Sequence, residues 1–292
     1  MRTSRAMARA ARAARVCVET GMAKKVTEWK NACNLVGVNV LFLGTGTSHG
    51  VPMIGCSCIV CRSDDPRDNR LRPSILLRGD DGVTVLVDTT PDLRQQCLRH
   101  EIAHVDAVVY THAHADHILG FDELRRFNIL SKRAMPVYGD PATLDGLQRT
   151  FGYAFDPDAP RGGGVPQTTL VPIDGPFVIG ALSFRPLTVY HGGAPVLGFR
   201  IGRFAYLTDC NRVPDETVSQ LDDLDVLVLD ALRHRPHPTH FSLNEAVELA
   251  GRIGAGRTYF THMCHDLGHA VTCAALPAGM TLAYDGLQFA CS

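Results

Sequence analysis

The stretch "YTHAHADHILG", residues Tyr110–Gly120, carries three histidines and one aspartate within six residues, at the end of the apolar run "VDAVVY". His112, His114 and Asp116 alternate along the chain, so in an extended segment their side chains point the same way. His117 is expected to begin the next helix and to point elsewhere, which lets one short loop supply two neighbouring metal ions. Imidazole and carboxylate groups suit zinc, manganese or iron. The stretch therefore predicts a metal centre at the end of a buried strand.

Further residues able to bind a metal lie downstream, and each follows an apolar run typical of a strand. His191 ends "LTVYH", Asp209 ends "FAYLTD", and His262 and His265 lie in "RTYFTHMCH". Strand ends that project onto one edge of a sheet can build a single site. Each histidine alone would more often be structural, but together with the loop at residues 112–117 they favour a shared metal centre.

A second cluster consists of three cysteines. The motif "GCSCIVC" contains Cys56, Cys58 and Cys61, whereas the other seven of the ten cysteines are scattered. A secreted scaffold built on disulfides would be shorter and more evenly spaced. The cluster instead indicates thiolates bound to a metal, which require a reducing compartment.

The order of the elements predicts the fold class. Apolar strand-like runs with helical segments between them come in two successive batches, which favours an α/β (α+β) protein built as an αββα sandwich: two mixed sheets packed face to face, with helices outside. One helix is expected over "ILGFDELRRFNIL", and another over "SLNEAVELAGRIGA" with a capping box of Ser242 and Glu245. "GRTYFTH" is expected to be the final core strand. Residues 151–167, rich in Gly and Pro, are expected to form a loop at the rim of the site.

The net charge and the apolar runs give no support to a nucleic acid or a membrane as partner. The 292 residues have a net charge of −1, which favours neither a nucleic acid nor an anionic membrane as partner. No apolar run approaches the roughly 18 residues that suggest a membrane span.

The N-terminal 36 residues admit two interpretations. Five arginines in "MRTSRAMARAARAARV" are spaced three or four apart, and the first acidic residue is Glu19. This is typical of an organellar transit peptide. The alternative is a start assigned too early, with Met22 as the true start. We therefore expect a basic extension over 1–36, a single domain over 37–292, and a cytoplasmic protein, or a mitochondrial or plastid one if the extension is a transit peptide.

Four segments together carry a family resemblance: "FLGTGTSHGVPMIGCSCIVC", "VLVDTTPDLR", "THAHADHILGFDELRRF" and "FTHMCHDLG". Over residues 37–292 the sequence resembles the metallo-β-lactamase superfamily of hydrolases. The spacing H-x-H-x-D-H is specific for the superfamily. The insert C-x-C-x2-C makes it most similar to the branch of the phosphoribosyl 1,2-cyclic phosphate phosphodiesterase of the carbon–phosphorus lyase pathway.

The resemblance implies a role for each candidate residue. It places one catalytic metal on His112, His114 and His191, a second on Asp116, His117 and His262, Asp209 between them, and a structural zinc on Cys56, Cys58, Cys61 and His265. It also implies that Asp88 orients the ligands and that His240 donates a proton, with Asp116 as a further catalytic group; His234 and His237 remain alternatives to His240. Because His240 lies just before the helix that begins at Ser242, an acid role requires a compensating negative group.

The implied function is hydrolysis of a small cyclic phosphate, either a cyclic sugar phosphate or a cyclic nucleotide, by hydroxide held between two divalent metals, Zn or Mn. The implied partner is a small phosphodiester, with no membrane, a nucleic acid disfavoured and a homodimer allowed. Alternatives are a tRNA-processing endonuclease, a member resembling the pyrroloquinoline quinone synthesis protein, and a non-catalytic binding protein that contains zinc.

Overall fold

The computed structural model describes residues 37–156, 158 and 164–291. The expected N-terminal extension therefore lies outside the described residues, as does part of the expected loop at 151–167. The strands are β1 Val38–Gly44, β2 Ser74–Gly79, β3 Thr84–Val87, β4 Ala107–Val109, β5 Met135–Gly139, β6 Thr168–Pro172, β7 Phe177–Ile179, β8 Leu182–His191, β9 Ala194–Ile201, β10 Phe204–Leu207, β11 Val226–Asp230, β12 Arg257–Thr261, β13 Met280–Leu282 and β14 Gln288–Cys291.

The helices of the described chain lie between these strands. The α-helices are Leu93–Arg99, Ala115–Ile118, Leu124–Ser131, Pro141–Thr150, Gly152–Phe155, Asp215–Val218, Leu243–Ile253 and His269–Ala275, and the 3-10 turns are Pro66–Asp68 and Phe121–Glu123. None of these described helices has the length and apolar character needed to cross a membrane.

The strands form two seven-stranded mixed sheets. The first sheet has the order β14-β1-β2-β3-β4-β5-β6 and the second the order β13-β12-β11-β10-β9-β8-β7. Each sheet has three antiparallel and three parallel strand pairs. The predicted αββα sandwich of two mixed sheets is confirmed.

Alternation along the strands builds the layers. In β1, Val40 and Phe42 face the second sheet, whereas Leu43 packs under the helices of the first sheet. In β11, Val228 lies between the sheets and Leu229 faces the opposite layer, beside the helix Leu243–Ile253. Because both faces of the central strands are buried, their sequences are continuously apolar and the polar residues appear only at the strand ends.

Three expectations about individual elements have different outcomes. The capping box of Ser242 and Glu245 is confirmed. The single helix over "ILGFDELRRFNIL" is wrong, because the segment divides at Gly120 into two helices and a 3-10 turn; a Cβ at that glycine would lie 2.1 Å from the carbonyl oxygen of Thr90. "GRTYFTH" is not the final strand, since the short β13 and β14 follow it and β14 pairs with β1.

Parallel pairing brings the carboxyl ends of the central strands to one edge of the sandwich. In the first sheet β3 and β4 are parallel, and in the second β10, β11 and β12 are parallel. The segments that follow these strands contain most of the candidate metal ligands, so both sheets contribute to the same edge.

Candidate metal centre

Three histidine rings gather at the start of the helix Ala115–Ile118. The ring centroids of His112 and His114 are 4.5 Å apart, those of His114 and His191 are 4.9 Å apart, and those of His112 and His191 are 5.8 Å apart. His114 is the N-cap residue of the short helix. The hairpin of β8 and β9 ends beside this loop, which explains why His191, 77 residues beyond His114 in the sequence, joins it.

A second group is centred on the carboxylate of Asp209. Its Oδ2 lies 3.2 Å from Nε2 of His117, 3.1 Å from Nε2 of His262 and 3.8 Å from Nε2 of His112. The carboxylate of Asp116 lies 3.5 Å from both His117 and His262. The carboxylate of Asp209 therefore lies between His112 of the first group and His117 and His262 of the second.

The histidine nitrogens that face this centre lack ordinary partners. His112 Nε2, His117 Nε2 and both ring nitrogens of His262 are buried and make no hydrogen bond within the described chain. Buried polar atoms are normally hydrogen-bonded, and a cluster of exceptions needs an explanation. Imidazole nitrogens converging with carboxylate oxygens have the chemistry that divalent metals select, so these residues fit a dinuclear metal centre.

In three of the candidate ligands, His112, His117 and His191, the Nδ1 atom of the ring is anchored. Nδ1 of His117 lies 2.8 Å from Asp88, Nδ1 of His191 lies 2.8 Å from the carbonyl oxygen of Thr239, and Nδ1 of His112 lies 3.0 Å from the hydroxyl of Thr111. Histidines that bind metals commonly make such a bond with the nitrogen that does not bind. The pattern leaves Nε2 of each ring directed at the centre.

Asp88 lies behind the candidate ligands, against Nδ1 of His117. Its carboxylate is fully buried and accepts hydrogen bonds from the backbone and the hydroxyl of Thr111, both at 2.8 Å. Burial alone would lower the pKa of His117, but the carboxylates of Asp209, Asp88 and Asp116 outweigh burial and raise this pKa well above its usual value. The same negative field favours the binding of a cation.

The backbone is unusual where three of these residues are located. Asp88, Asp209 and His262 have φ values of 64°, 52° and 62°, in the left-handed region that non-glycine residues rarely adopt. Each follows a central strand and turns its side chain toward the shared edge. Such conformations persist only where surrounding structure fixes them, and they concentrate at functional sites.

The sulfurs of the three clustered cysteines lie close to His265, in the turn that follows β12. Nδ1 of His265 lies 3.2, 3.4 and 3.5 Å from the sulfurs of Cys56, Cys58 and Cys61. The backbone amide of Cys61 is the main cause that lowers the pKa of Cys58 to about 6, whereas burial raises the pKa of Cys61 to about 11. Three sulfurs and one imidazole nitrogen suit a closed tetrahedral zinc site, whose formation would release protons.

His240 is buried against the metal centre. Its ring centroid lies 4.6 Å from those of both His191 and His262. His237 is half-buried, with its ring 5.1 Å from His240, and His234 is exposed. The geometry therefore favours His240 over its two neighbours as the histidine that can reach a bound ligand.

The sequence analysis did not single out Asp230, whose carboxylate lies beside the candidate site. It ends β11 and is fully buried; its Oδ1 lies 3.1 Å from Nδ1 of His240 and 3.6 Å from Nδ1 of His262. Its carboxylate also accepts hydrogen bonds from the backbone amides of Asp209 at 3.2 Å and Phe241 at 3.0 Å. Asp230 supplies the negative group that an acid role for His240 requires. The only sequence signal was a lone carboxylate at the end of "VLVLD".

A pocket of about 240 Å³ lies beside the centre. It is lined by residues that include His49, Arg233, Arg235, His237, His240 and His265. A larger groove, of about 770 Å³, lies between the helices Leu93–Arg99 and Leu124–Ser131 and contains none of the candidate ligands. The smaller pocket adjoins His240, and its charged lining residues are Arg233, Arg235 and Asp266.

Comparison with known proteins places the chain in a family. Residues 83–263 match the β-lactamase superfamily domain. The chain belongs to the β-lactamase superfamily. It resembles the PhnP family: a solved structure described as a new diphosphatase from that family is 44% identical, with a TM-score of 0.82, over 88% of this chain and 98% of that one. The predicted resemblance to the metallo-β-lactamase superfamily is confirmed.

Two further proteins are similar to this chain: one is more distant in sequence, and the other is about twice as long. Zn²⁺-bound PqqB from Methylobacterium extorquens is 22% identical, with a TM-score of 0.70, over 86% of this chain and 99% of that one, which supports the fold alone. A protein of Porphyromonas gingivalis named octanoyltransferase is 37% identical over 85% of this chain. The chain spans only about half the length of that relative, 50% of it.

Proposed function

We propose that the protein hydrolyses a small phosphodiester, with a cyclic sugar phosphate or a cyclic nucleotide as its substrate. The observation that carries the proposal is the pair formed by His240 and Asp230, which lies directly against His191 and His262. Hydrolysis of a phosphodiester requires a proton for the leaving alkoxide, whereas metal binding alone requires no such group.

The ligand residues are proposed to hold two divalent ions, Zn or Mn. His112, His114 and His191 would hold one, Asp116, His117 and His262 the other, and Asp209 would contact both. Bound ions of this kind polarise phosphoryl oxygens and lower the pKa of water. Cys56, Cys58, Cys61 and His265 are proposed to hold a structural zinc.

His240 is proposed to be the proton donor. Asp230 accepts the hydrogen bond of Nδ1–H, which fixes the orientation of the ring and leaves Nε2 to face the substrate. Nε2 has a proton to donate only in the imidazolium form, so the proposed donor is the doubly protonated ring. The ring is only 8% exposed, which limits competition from bulk water for its proton. Asp88 and Thr111 fix the neighbouring ligand rings, so the substrate would meet a rigid site.

A second candidate reaction is the cleavage of a diphosphate linkage. The PhnP-family relative is described as a diphosphatase. In this chain the adjoining pocket contains Arg233, whose guanidinium is fixed by the carbonyl oxygens of Arg235 and Pro236 at 3.1 and 2.9 Å. A second phosphoryl group could bind there, because arginine pairs well with phosphate oxygens. An RNA substrate or a role like that of PqqB has no comparable support in the site.

The test is a panel of substrates given to protein loaded with manganese or zinc. The panel contains a cyclic ribose phosphate, a 2′,3′-cyclic nucleotide, a nucleoside diphosphate sugar, a thioester and a β-lactam. Asp209→Ala is the inactive variant, and Asp222→Ala, which changes an exposed carboxylate paired with Arg200, is its matched control.

We expect turnover of the cyclic phosphates by the wild type and by Asp222→Ala, with no turnover by Asp209→Ala. Turnover confined to the nucleoside diphosphate sugar would favour the second candidate. Both candidate reactions would be excluded if the wild type turned over only the thioester or the β-lactam. They would also be excluded if Asp209→Ala turned over the phosphates as fast as the wild type.

A further inference from the structure

His262 and His265 lie on one turn, residues 262–268, called here the histidine turn. His262 faces Asp116 and Asp209 in the dinuclear centre, whereas His265 faces the three cysteines. His262 also has a left-handed backbone, with φ of 62°. A conformation of this kind needs support from its surroundings, so the contacts of the turn determine where His262 points.

One buried arginine lies beneath this turn. Arg70 is 1% exposed and has the largest fully buried side chain of the described residues. Its guanidinium donates to the carbonyl oxygen of Cys264 at 2.8 Å and to that of Leu267, and it pairs with the carboxylate of Asp68 at 3.1 Å. Asp68 in turn accepts a hydrogen bond from the amide of His269 at 2.8 Å. The guanidinium thus bridges two carbonyl groups of the turn, those of Cys264 and Leu267.

The backbone of Arg70 belongs to the segment that contains the cysteines. It exchanges two hydrogen bonds with Val51, at 2.9 and 2.7 Å. Gly46 packs so closely above it that a Cβ there would lie 2.8 Å from the carbonyl oxygen of Arg70. Gly46 also pairs with Met263 of the histidine turn. Arg70 therefore connects the cysteine segment to the turn independently of the cysteines themselves.

The cost of burying this cation indicates a specific role. Burial lowers the pKa of Arg70, and Asp68 is the only carboxylate within ion-pair distance of it in the described chain. A buried guanidinium is retained where its planar set of donors meets several acceptors at once. Two of its acceptors are carbonyl oxygens of the turn that holds His262 and His265.

We propose that Arg70 is a positioning residue for the metal centre: its guanidinium fixes the histidine turn so that His262 stays directed at Asp116 and Asp209. The inference rests on the ligand set proposed above, but it does not depend on which substrate is hydrolysed. An ammonium group lacks the planar set of donors of a guanidinium, so Arg70→Lys keeps the charge but loses the simultaneous bonds to the carbonyl oxygens of Cys264 and Leu267.

The experiment measures metal retention rather than activity. Wild type and variants are loaded with Co²⁺, and a chelator is titrated in. Charge-transfer absorption from thiolate to cobalt measures the cobalt bound at the cysteine site. Mass spectrometry measures the total bound cobalt, and the difference between the two is the cobalt bound at the dinuclear centre. Arg67→Lys is the matched control, because Arg67 lies in the same segment but pairs on the surface with Asp65. Leu182→Ala, in the core at the start of β8, is the control for lost stability.

We expect Arg70→Lys to release the metal not bound by thiolates at a chelator concentration at least about tenfold lower than the wild type, the range seen when a partner of a metal ligand is lost. Arg67→Lys and Leu182→Ala should retain it. The inference would be overturned if Arg70→Lys retained this metal as strongly as the wild type, or if Leu182→Ala released it equally. It would also be overturned if Arg70→Lys lost only the thiolate-bound metal. Should Arg70→Lys not fold, Asp68→Asn replaces it with the same expectation. A wild type holding only thiolate-bound metal would refute the ligand set itself.

Discussion

Replacement of His240 by asparagine tests the proposed proton donor. The imidazole is buried beside His191 and His262, and Asp230 holds its Nδ1. A positioned general acid contributes about 10²–10⁴-fold. At about 1.4 kcal/mol for each factor of ten, its loss raises the activation free energy by about 3–6 kcal/mol. The stability cost should be smaller, about 1–3 kcal/mol, because Asp230 keeps its bonds to the amides of Phe241 and Asp209.

The assay compares two leaving groups. A cyclic phosphate releases a strongly basic alkoxide that needs a proton, whereas bis(4-nitrophenyl) phosphate releases a weakly basic phenolate that does not. We expect His240→Asn to lower kcat on the cyclic phosphate by the full factor of about 10²–10⁴. On the aryl ester the fold-decrease in kcat should be less than about a tenth of that on the cyclic phosphate. Metal content is measured in parallel, since a nitrogen of His240 lies within 4.8 Å of ligand atoms of His191 and Asp209.

An equal loss on both substrates at unchanged metal content would refute the acid role and assign His240 to substrate binding. The matched control is His234→Asn in the same loop, whose side chain is exposed and should leave kcat unchanged on both substrates. A selective loss in His234→Asn or His237→Asn instead would move the role to that residue.

Three other variants test single contacts. Asp88→Asn removes the carboxylate 2.8 Å from Nδ1 of His117 and should weaken metal binding about 10–100-fold in chelator competition; unchanged affinity would contradict the role given to Asp88. Cys58→Ser should lower the zinc content by one ion per chain and lower Tm, measured by mass spectrometry and calorimetry, and a full zinc content would exclude the site. Ser242→Ala removes the N-cap of the helix Leu243–Ile253 and should cost about 1 kcal/mol in urea unfolding, whereas no change would mean that the cap is dispensable.

Much of the candidate site could be predicted because its residues end apolar runs. The loop at residues 112–117 has four ligands within six residues, and His191, Asp209 and His262 each lie at or just after the end of a strand whose sequence alone indicates burial. The fold class followed from the same runs. Assignment of ligands to one metal or the other came from the family resemblance, because spacing alone does not separate His262 from His265.

The sequence analysis missed helices and strands whose apolar residues do not recur with a clear helical or strand periodicity. The helix Pro141–Thr150 had a usable signal, since Asp140 caps it and Pro141 occupies its first turn, but its few apolar residues gave no clear stripe. The strands β13 and β14 are only three and four residues long, and they owe their structure to pairing with β12 and β1. Such short strands are determined by tertiary context rather than by local propensity.

Asp230 could not be found because its role depends on register. In the parallel pairs of the second sheet, Leu229 lies opposite Leu207 and Asp230 lies opposite Thr261, so Asp209 and His262 both end up beside its carboxylate. A shift of one residue in β11 would turn that carboxylate to the other face of the sheet. The sequence contains the aspartate, but only the assembled strands give it His240 as a partner.

The division of ligands between the sheets explains why they are so dispersed in the sequence. The loop after β4 in the first sheet supplies His112, His114, Asp116 and His117, whereas strand ends of the second sheet supply His191, Asp209 and His262. In the proposed ligand set each metal therefore takes residues from both sheets. Metal binding and the packing of the two sheets must then favour each other, because only the closed sandwich brings the two halves of the site together. The histidine turn and Arg70 lie at this shared edge, and the proposal for Arg70 extends the same coupling to a residue that is not itself a ligand: it would act on the metal through the position of His262.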